Sequence, residues 1–379
     1  MNKIETYIWK RRMKKLFIRC FKLGDITRRY EESNSNRHVY YPKIHHVAFE
    51  DNYVSFIFTL LNGINPELLE EKFYIFQQVF GKNITLEGEI KRYELKVFIE
   101  GLPRLLNYQL DEWKNALSNK DIPIVCGVNI NGEQVSFDMS EHPHILLTGE
   151  TGSGKSSLLR VILTSLVLSK SDEEIQFILG DLKKSEFGLY RNLKHVQGVY
   201  MYAKDLFHSL KQLRREMDRR GELLDEYEVT HIKDLPMKLP YIILCIDEFA
   251  LLKKEKAIMQ VIEDVSSVGR ALGVLLILSC QRADSKLMEG ILKNNLTIRI
   301  SGRQSNSRNS NIAGVPSAHK IKMSDKGRMY LMLDEEIEIQ SPHLTYEEAK
   351  NLLKPYTQTK EPKVSESNTD EEFTIWEEE

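Results

Sequence analysis

Hydrophobic and polar positions change rhythm along the chain. In the first forty residues, Trp9, Met13, Leu16, Phe17 and Ile18 are threaded among cations, and the stretch runs into Glu31-Glu32-Ser33-Asn34-Ser35-Asn36, a linker signal. Between 41 and 120 the periods are mixed. Val54–Leu61 reads as a strand, and Pro66–Phe80 as a helix with Leu68, Leu69, Phe73 and Phe76 apolar. Ile84–Glu87 and Tyr93–Glu100 read as short strands with Gly88 as the turn residue between them. From Ile122 onward, strand-length apolar runs alternate with helical patterns, which predicts an α/β fold with a mostly parallel sheet. The runs are His144–Leu147, Ile175–Gly180, Tyr241–Ile246, Gly273–Ser279 and Leu296–Ile300. Near Leu353 the alternation ends, and Lys360–Glu379 reads as acidic and disordered. Four segments follow: a basic segment 1–40, a small α+β domain 41–120, an α/β domain 121–356 and an acidic tail 357–379.

Charge adds to this picture only at the ends. The net charge is −2, yet residues 1–40 hold 11 Lys/Arg against four acids, and residues 357–379 hold eight acids against Lys360 and Lys363. Such ends suit interaction segments, and equally suit solvated termini. The basic head reads as an amphipathic helix lying on a membrane surface or a partner, or as an ordinary surface helix. No run approaches the roughly 18 apolar residues that a membrane crossing needs, and the head does not resemble a signal peptide. Cys20, Cys126, Cys245 and Cys280 are scattered without metal spacing, which argues against a disulfide framework or zinc site and fits a reducing cytoplasm. Cys245 and Cys280 sit in apolar runs, as buried small hydrophobes do.

The chemistry lies in the α/β segment. Gly149-Glu150-Thr151-Gly152-Ser153-Gly154-Lys155-Ser156 is a complete GxxxxGK(S/T) loop, after the strand His144–Leu147 and before the helical run Ser157–Leu168. Its glycines let backbone N–H groups close around phosphates, and the following helix adds partial positive charge. Lys155 is expected at the β- and γ-phosphates of ATP and Ser156 on Mg²⁺, with Ser157 next in the binding segment. Leu239–Glu248 is an apolar strand ending in Asp-Glu: Asp247 for the Mg²⁺ shell, Glu248 to polarise the attacking water. The second acid favours ATP hydrolysis over a GTP switch, and no Asn-Lys-x-Asp guanine motif occurs. At the tip of the strand Gly273–Ser279, Gln281 fits a γ-phosphate sensor. Arg270, ending the preceding helix, fits a finger that reaches a neighbouring subunit's nucleotide.

These motifs, taken in order, resemble the FtsK/SpoIIIE family of DNA-translocating ATPases across roughly 122–353. Pro143–Gly149 resembles that family's lead-in to the P-loop. Gly180-Asp181-Leu182-Lys183-Lys184-Ser185-Glu186-Phe187 resembles its Asp-Pro-Lys signature, with Leu182 in place of Pro. Arg215–Arg220 resembles its Glu-Met-x-x-Arg helix. Gly269–Gly273 and Ser279–Arg282 resemble its Arg-Ala-x-Gly-Ile-His and Ala-Thr-Gln-Arg-Pro segments, with Val274, Leu275 and Ala283 as departures. Gly290–Asn295 and Ser307-Arg308 follow in order.

The resemblance implies a RecA-like domain in a homo-hexameric ring around double-stranded DNA. Arg270 would act in trans, and Arg282, Arg303 and Arg308 would lie on or near pore loops. Lys253, Lys254 and Lys256 are a second candidate pore loop, or plain surface charge. Membrane helices and a winged-helix module of the large chromosome pumps are not recognisable in the sequence. The compact form looks more like the coupling or DNA-transfer proteins of Gram-positive conjugative elements and plasmids, which pass a relaxase-bound strand to a membrane channel. The expected location is therefore cytoplasmic, with membrane association through a partner. Two other readings stand beside it: an FtsK-like ATPase recruiting protein substrates to a secretion system, and a plasmid replication or maintenance ATPase.

Overall fold

The structure is a computed structural model and describes residues 3–31, 37–50, 52–282 and 291–358. The linker residues 32–36, Ala283, Gly290 and the acidic tail from 359 with Phe373 and Trp376 lie outside the described residues. The N-terminal part holds α1 (Lys3–Leu23), β1 (Arg28–Glu31), β2 (Arg37–Tyr40), β3 (Lys43–Phe49), β4 (Tyr53–Thr59), α2 (Glu67–Glu71), α3 (Phe73–Phe80), β5 (Ile84–Glu89) and β6 (Arg92–Phe98). After α4 (Leu110–Leu117) come β7 (Pro123–Asn129), β8 (Gln134–Asp138), β9 (Ile145–Thr148), α5 (Lys155–Ser169), β10 (Ile175–Asp181), β11 (Val196–Tyr200) and α6 (Ala203–Glu226). The remainder is β12 (Tyr241–Asp247), α7 (Lys256–Leu272), β13 (Val274–Cys280), α8 (Ile291–Asn295), β14 (Ile298–Ser301), α9 (Ser307–Ala313), β15 (Arg328–Met332), β16 (Glu336–Gln340) and α10 (Tyr346–Leu353).

Among the described residues the large sheet has the order β11-β10-β12-β13-β9-β14-β15-β16-β7-β8. The pairings from β11 to β14 are parallel and those from β14 to β8 antiparallel. The parallel strands are continuous apolar runs because helices cover both their faces. In β12, Ile243 and Cys245 face the α5 side, packed with Leu158, Ile162 and Leu166. Ile242, Leu244 and Ile246 face the α6 and α7 side, with Leu210, Leu213, Val261 and Val265. The cysteines are buried and free, Cys245 and Cys280 inside these strands.

The N-terminal part is a four-stranded antiparallel sheet, β3-β4-β6-β5, with its own core. Helix α1 contributes Phe17, Cys20 and Phe21 to that core, against Phe56, Phe58 and Phe76; the Phe17 and Phe56 rings stack at 4.6 Å. Its buried stripe thus faces this sheet, and its cations face outward. Two expectations change here. The single helix 66–80 is two, because Lys72 leaves helical geometry at φ −98°, ψ 7° between α2 and α3. Gly88 lies inside β5, paired with Tyr93, where an added Cβ would stand 2.3 Å from the Arg92 carbonyl oxygen. The turn itself is Ile90-Lys91.

His144 pins the centre of the large sheet. It is buried, with φ 64°, and its Nδ1 accepts the Leu276 N–H of β13 at 3.1 Å. Burial pushes its pKa down to about 4. Between roughly pH 6.5 and 4 the unfolded chain takes up a proton that the folded chain refuses, so stability falls as pH falls, by at most ~3 kcal/mol. Asparagine tolerates the left-handed backbone and does not titrate. His144→Asn should therefore lose less of its thermal midpoint than the parent when pH drops through this window. Parallel midpoint curves would show that His144 does not carry the effect.

Candidate nucleotide site

The C-terminal ends of the parallel strands deliver the polar groups, as the topology of open α/β sheets favours. Strand β9 ends at Thr148, the loop turns through Gly149 (φ 151°), Gly152 (φ 81°) and Gly154 (φ 101°), and α5 starts at Lys155. A Cβ on Gly149 would lie 2.5 Å from Ser153 Oγ, and one on Gly154 2.8 Å from Gly327 Cα. The loop is therefore built tightly enough to demand glycine at both places. Opposite it stand the segment 324–327 and Gln340–His343, with Arg104 and Leu105 at the rim; together they enclose a cavity of about 570 Å³. That volume falls within the roughly 300–1,000 Å³ of small-molecule sites.

Strand β13 lies between β9 and β12 and brings Ser279 between loop lysine and strand acid. Lys155 Nζ donates to Asp247 Oδ1 at 2.7 Å and to Ser279 Oγ at 2.6 Å, and Ser279 Oγ donates to the same Asp247 oxygen at 2.8 Å. Lys155 is 7% exposed and Asp247 2%. Two buried charges so placed neutralise each other, since either alone would be costly to desolvate.

Glu248 follows in a left-handed backbone (φ 54°, ψ 47°), a strained conformation for a non-glycine residue. Its Oε1 accepts the Gln281 N–H at 3.2 Å. Lys183 Nζ lies 2.6 Å from its Oε2, as an ion pair off hydrogen-bonding angle. Lys183 stands in a turn fixed by Asp181, whose buried carboxylate accepts the N–H groups of Ser185, Glu186 and Phe187.

The structure thus brings Lys155, Asp247 and Gln281 to one cavity, with Glu150, Thr151, Gly152, Ser156 and Ser157 also lining it, and Glu248 adjoins them through the Gln281 amide and Lys183. Arg303 is ion-paired with Glu150 of the P-loop, and the exposed Arg282 reaches the same carboxylate at 3.9 Å. Arg308, Lys253, Lys254 and Lys256 are exposed outside the cavity. Arg270 is exposed at the other end of β13, whose seven residues span about 20 Å, so it stands away from its own chain's cavity.

Sequence reading missed Ser279, Lys183 and the wall 324–343. Lys183 had a usable signal, since it follows the tip of a parallel strand. The wall had none, because short antiparallel strands carry no nucleotide motif. That wall is nonetheless joined to the loop: the Gly327 N–H donates to the Ser153 carbonyl at 3.0 Å. Next to it, Arg328 donates to the Leu102 carbonyl at 3.2 Å, on the connector from the N-terminal sheet.

The donor set fits Mg²⁺-ATP. Backbone N–H groups, a lysine and a helix start suit phosphates, while one hydroxyl and one carboxylate are the sparse hard-oxygen set that Mg²⁺ takes alongside water and phosphate oxygens. No group of three or more His, Cys, Asp or Glu that could cage a metal occurs among the described residues.

Residues 105–239 match the sequence model of the FtsK/SpoIIIE family. The chain is 33% identical over 221 residues to the DNA translocase FtsK of Borreliella burgdorferi, covering 55% of this chain and 28% of that protein. It thus spans under a third of the curated relative's length. Among solved structures, the monomer form of the pCW3 conjugation coupling protein TcpA with ATPgS matches with a TM-score of 0.61 at 23% identity, covering 90% of this chain and 98% of that one. The cytoplasmic domain of the Type VII secretion ATPase EccC of Thermomonospora curvata matches with a TM-score of 0.56 at 24% identity, covering 63% of this chain and 31% of that one. At such identities these two likenesses establish shared fold alone. This chain thus carries a P-loop ATPase domain whose residues 105–239 match the FtsK/SpoIIIE family model.

Proposed function

We propose that the chain hydrolyses ATP to drive DNA through a ring of its own copies, as a coupling or transfer protein for plasmid or conjugative-element DNA. The observation that carries this reading is the buried Lys155–Asp247–Ser279 cluster beside Glu248, set in a family domain whose curated relatives are DNA translocases. When bound, Mg²⁺-ATP supplies the phosphoanhydride and the charge neutralisation at its oxygens. The protein's own groups do the rest. Lys155 and the loop amides would hold the phosphates, while Ser156 and Asp247 would hold the ion. Glu248, oriented by the Gln281 amide and Lys183, would take a proton from water.

Arg270 is the ring's candidate finger, since it stands away from its own chain's cavity and is exposed. In a homo-hexamer, Arg270→Ala should be inactive alone and partly active when mixed with Lys155→Ala, because each variant supplies what the other lacks. No complementation would place Arg270 outside the nucleotide sites.

The decisive measurement is the ATPase rate with no DNA, with double-stranded DNA and with single-stranded DNA, together with displacement of a triplex strand from duplex DNA. Stimulation with displacement supports transport along DNA. Stimulation without displacement favours an assembly role in replication or maintenance. No response to either DNA favours the movement of protein substrates. The relaxase and membrane channel belong to this proposal only as partners of the coupling role. No helix among the described residues is long and apolar enough to cross a membrane.

A further inference from the structure

The N-terminal sheet carries a second polar concavity, far in sequence from the nucleotide site. Helix α1 and the edge strand β3 enclose a groove of about 390 Å³ lined by Tyr7, Lys10, Arg11, Lys14, His45 and His46. No carboxylate among the described residues lines it. None of its three cations enters an ion pair among the described residues, so their charge is unneutralised.

The histidines are there for a backbone reason. The β3–β4 register slips between Ile44 and His46. The extra residue turns His45 and His46 both outward, while Ile44 and Val47 on either side stay buried. Regular alternation would have sent one imidazole into the core. Bulges that re-aim a side chain are over-represented at functional edges. Here the result is two imidazoles facing three cations across a cleft, with Tyr7, 68% exposed, beside them.

We propose that this groove binds the phosphodiester backbone of a nucleic-acid strand, with Tyr7 as a stacking surface for a base. Phosphates spaced along a strand match cations spaced along a helix, and an aromatic beside them tolerates any base. A bilayer is the weaker occupant. A flat headgroup surface meets the convex face of α1, with Arg12, Lys15, Arg19, Lys22, Ile8 and Ile18, rather than a cleft walled by a strand. The groove stands on a core separate from that of the large sheet, and the inference does not rest on the motor reading.

The test uses the full chain without ATP, so that an inactive motor cannot alter the outcome. Binding of a fluorescent oligonucleotide of about 20 nucleotides is titrated over a range of salt. Arg11→Glu, Lys14→Glu and His46→Glu combined change only exposed side chains. They should weaken binding at least about tenfold and lower the slope of log affinity on log salt by roughly 2. Lys15→Glu with Lys22→Glu on the convex face should do far less, and both variants should keep the thermal midpoint and basal ATPase rate. Unchanged oligonucleotide binding in the groove variant overturns the proposal, as does an equal loss from the convex-face variant. A loss confined to sedimentation with vesicles of phosphatidylglycerol and phosphatidylcholine would overturn it in favour of a membrane.

Discussion

Lys155→Ala should abolish ATP turnover and, separately, make the nucleotide-free chain less stable. Loss of a preorganised positive group at transferring phosphate typically costs about 10²–10³ in rate, and Lys155 also helps bind the substrate. The second effect comes from the buried contact with Asp247. Without the ammonium, Asp247 keeps, among the described residues, the Ser279 hydroxyl at 2.8 Å as its one side-chain donor. Breaking one side of a buried pair costs about 3–5 kcal/mol, less whatever Ser279 and incoming water recover. Adding Asp247→Asn removes the stranded charge, so the double variant should regain thermal midpoint while staying inactive. Turnover at the parental rate in Lys155→Ala would refute the assignment of the loop. A midpoint equal to the parent's would show that the pair does not stabilise the empty state.

Glu248→Gln should keep nucleotide binding and lose turnover by about 10²–10⁴, the usual contribution of a positioned general base. The amide matches the carboxylate in shape and still accepts the Gln281 N–H, so the local backbone is retained. It no longer takes a proton, and it no longer pairs with Lys183. Nucleotide affinity measured by calorimetry should stay within a few-fold of the parent, and phosphate release should stop. If affinity collapses along with turnover, the charge of Glu248 supports the architecture of the site rather than the chemistry.

The site's centre could be read from the chain because its constraints are local. Loop glycines, lysine and serine are consecutive, and Asp247-Glu248 closes one apolar run, so both announce themselves within ten residues. The parallel strands other than the partly exposed edge strand β11 were equally visible, since double-sided burial writes an unbroken apolar run such as Tyr241–Ile246. What escaped is what long-range contact decides. Ser279 is an unremarkable serine until β13 inserts between β9 and β12. The contact of Arg303 with Glu150, 153 residues earlier, exists only once β14 pairs with β9. The strands β8, β15 and β16 have five residues each and mixed burial, so period alone does not expose them. Lys72 breaks a helix that its apolar spacing would have continued. The double-histidine bulge is likewise invisible, because register is settled by the partner strand.

The junction at Gly327 has a mechanical consequence. The Ser153 carbonyl is clasped by the Gly327 amide, with no room for a side chain at Gly154, and the adjoining Arg328 guanidinium grips the connector at Leu102. Catalytic turn, antiparallel flank and the strap to the first sheet are thus bolted in series. If the turn recoils when its cargo changes, it drags that train with it or shears one of two identifiable bolts.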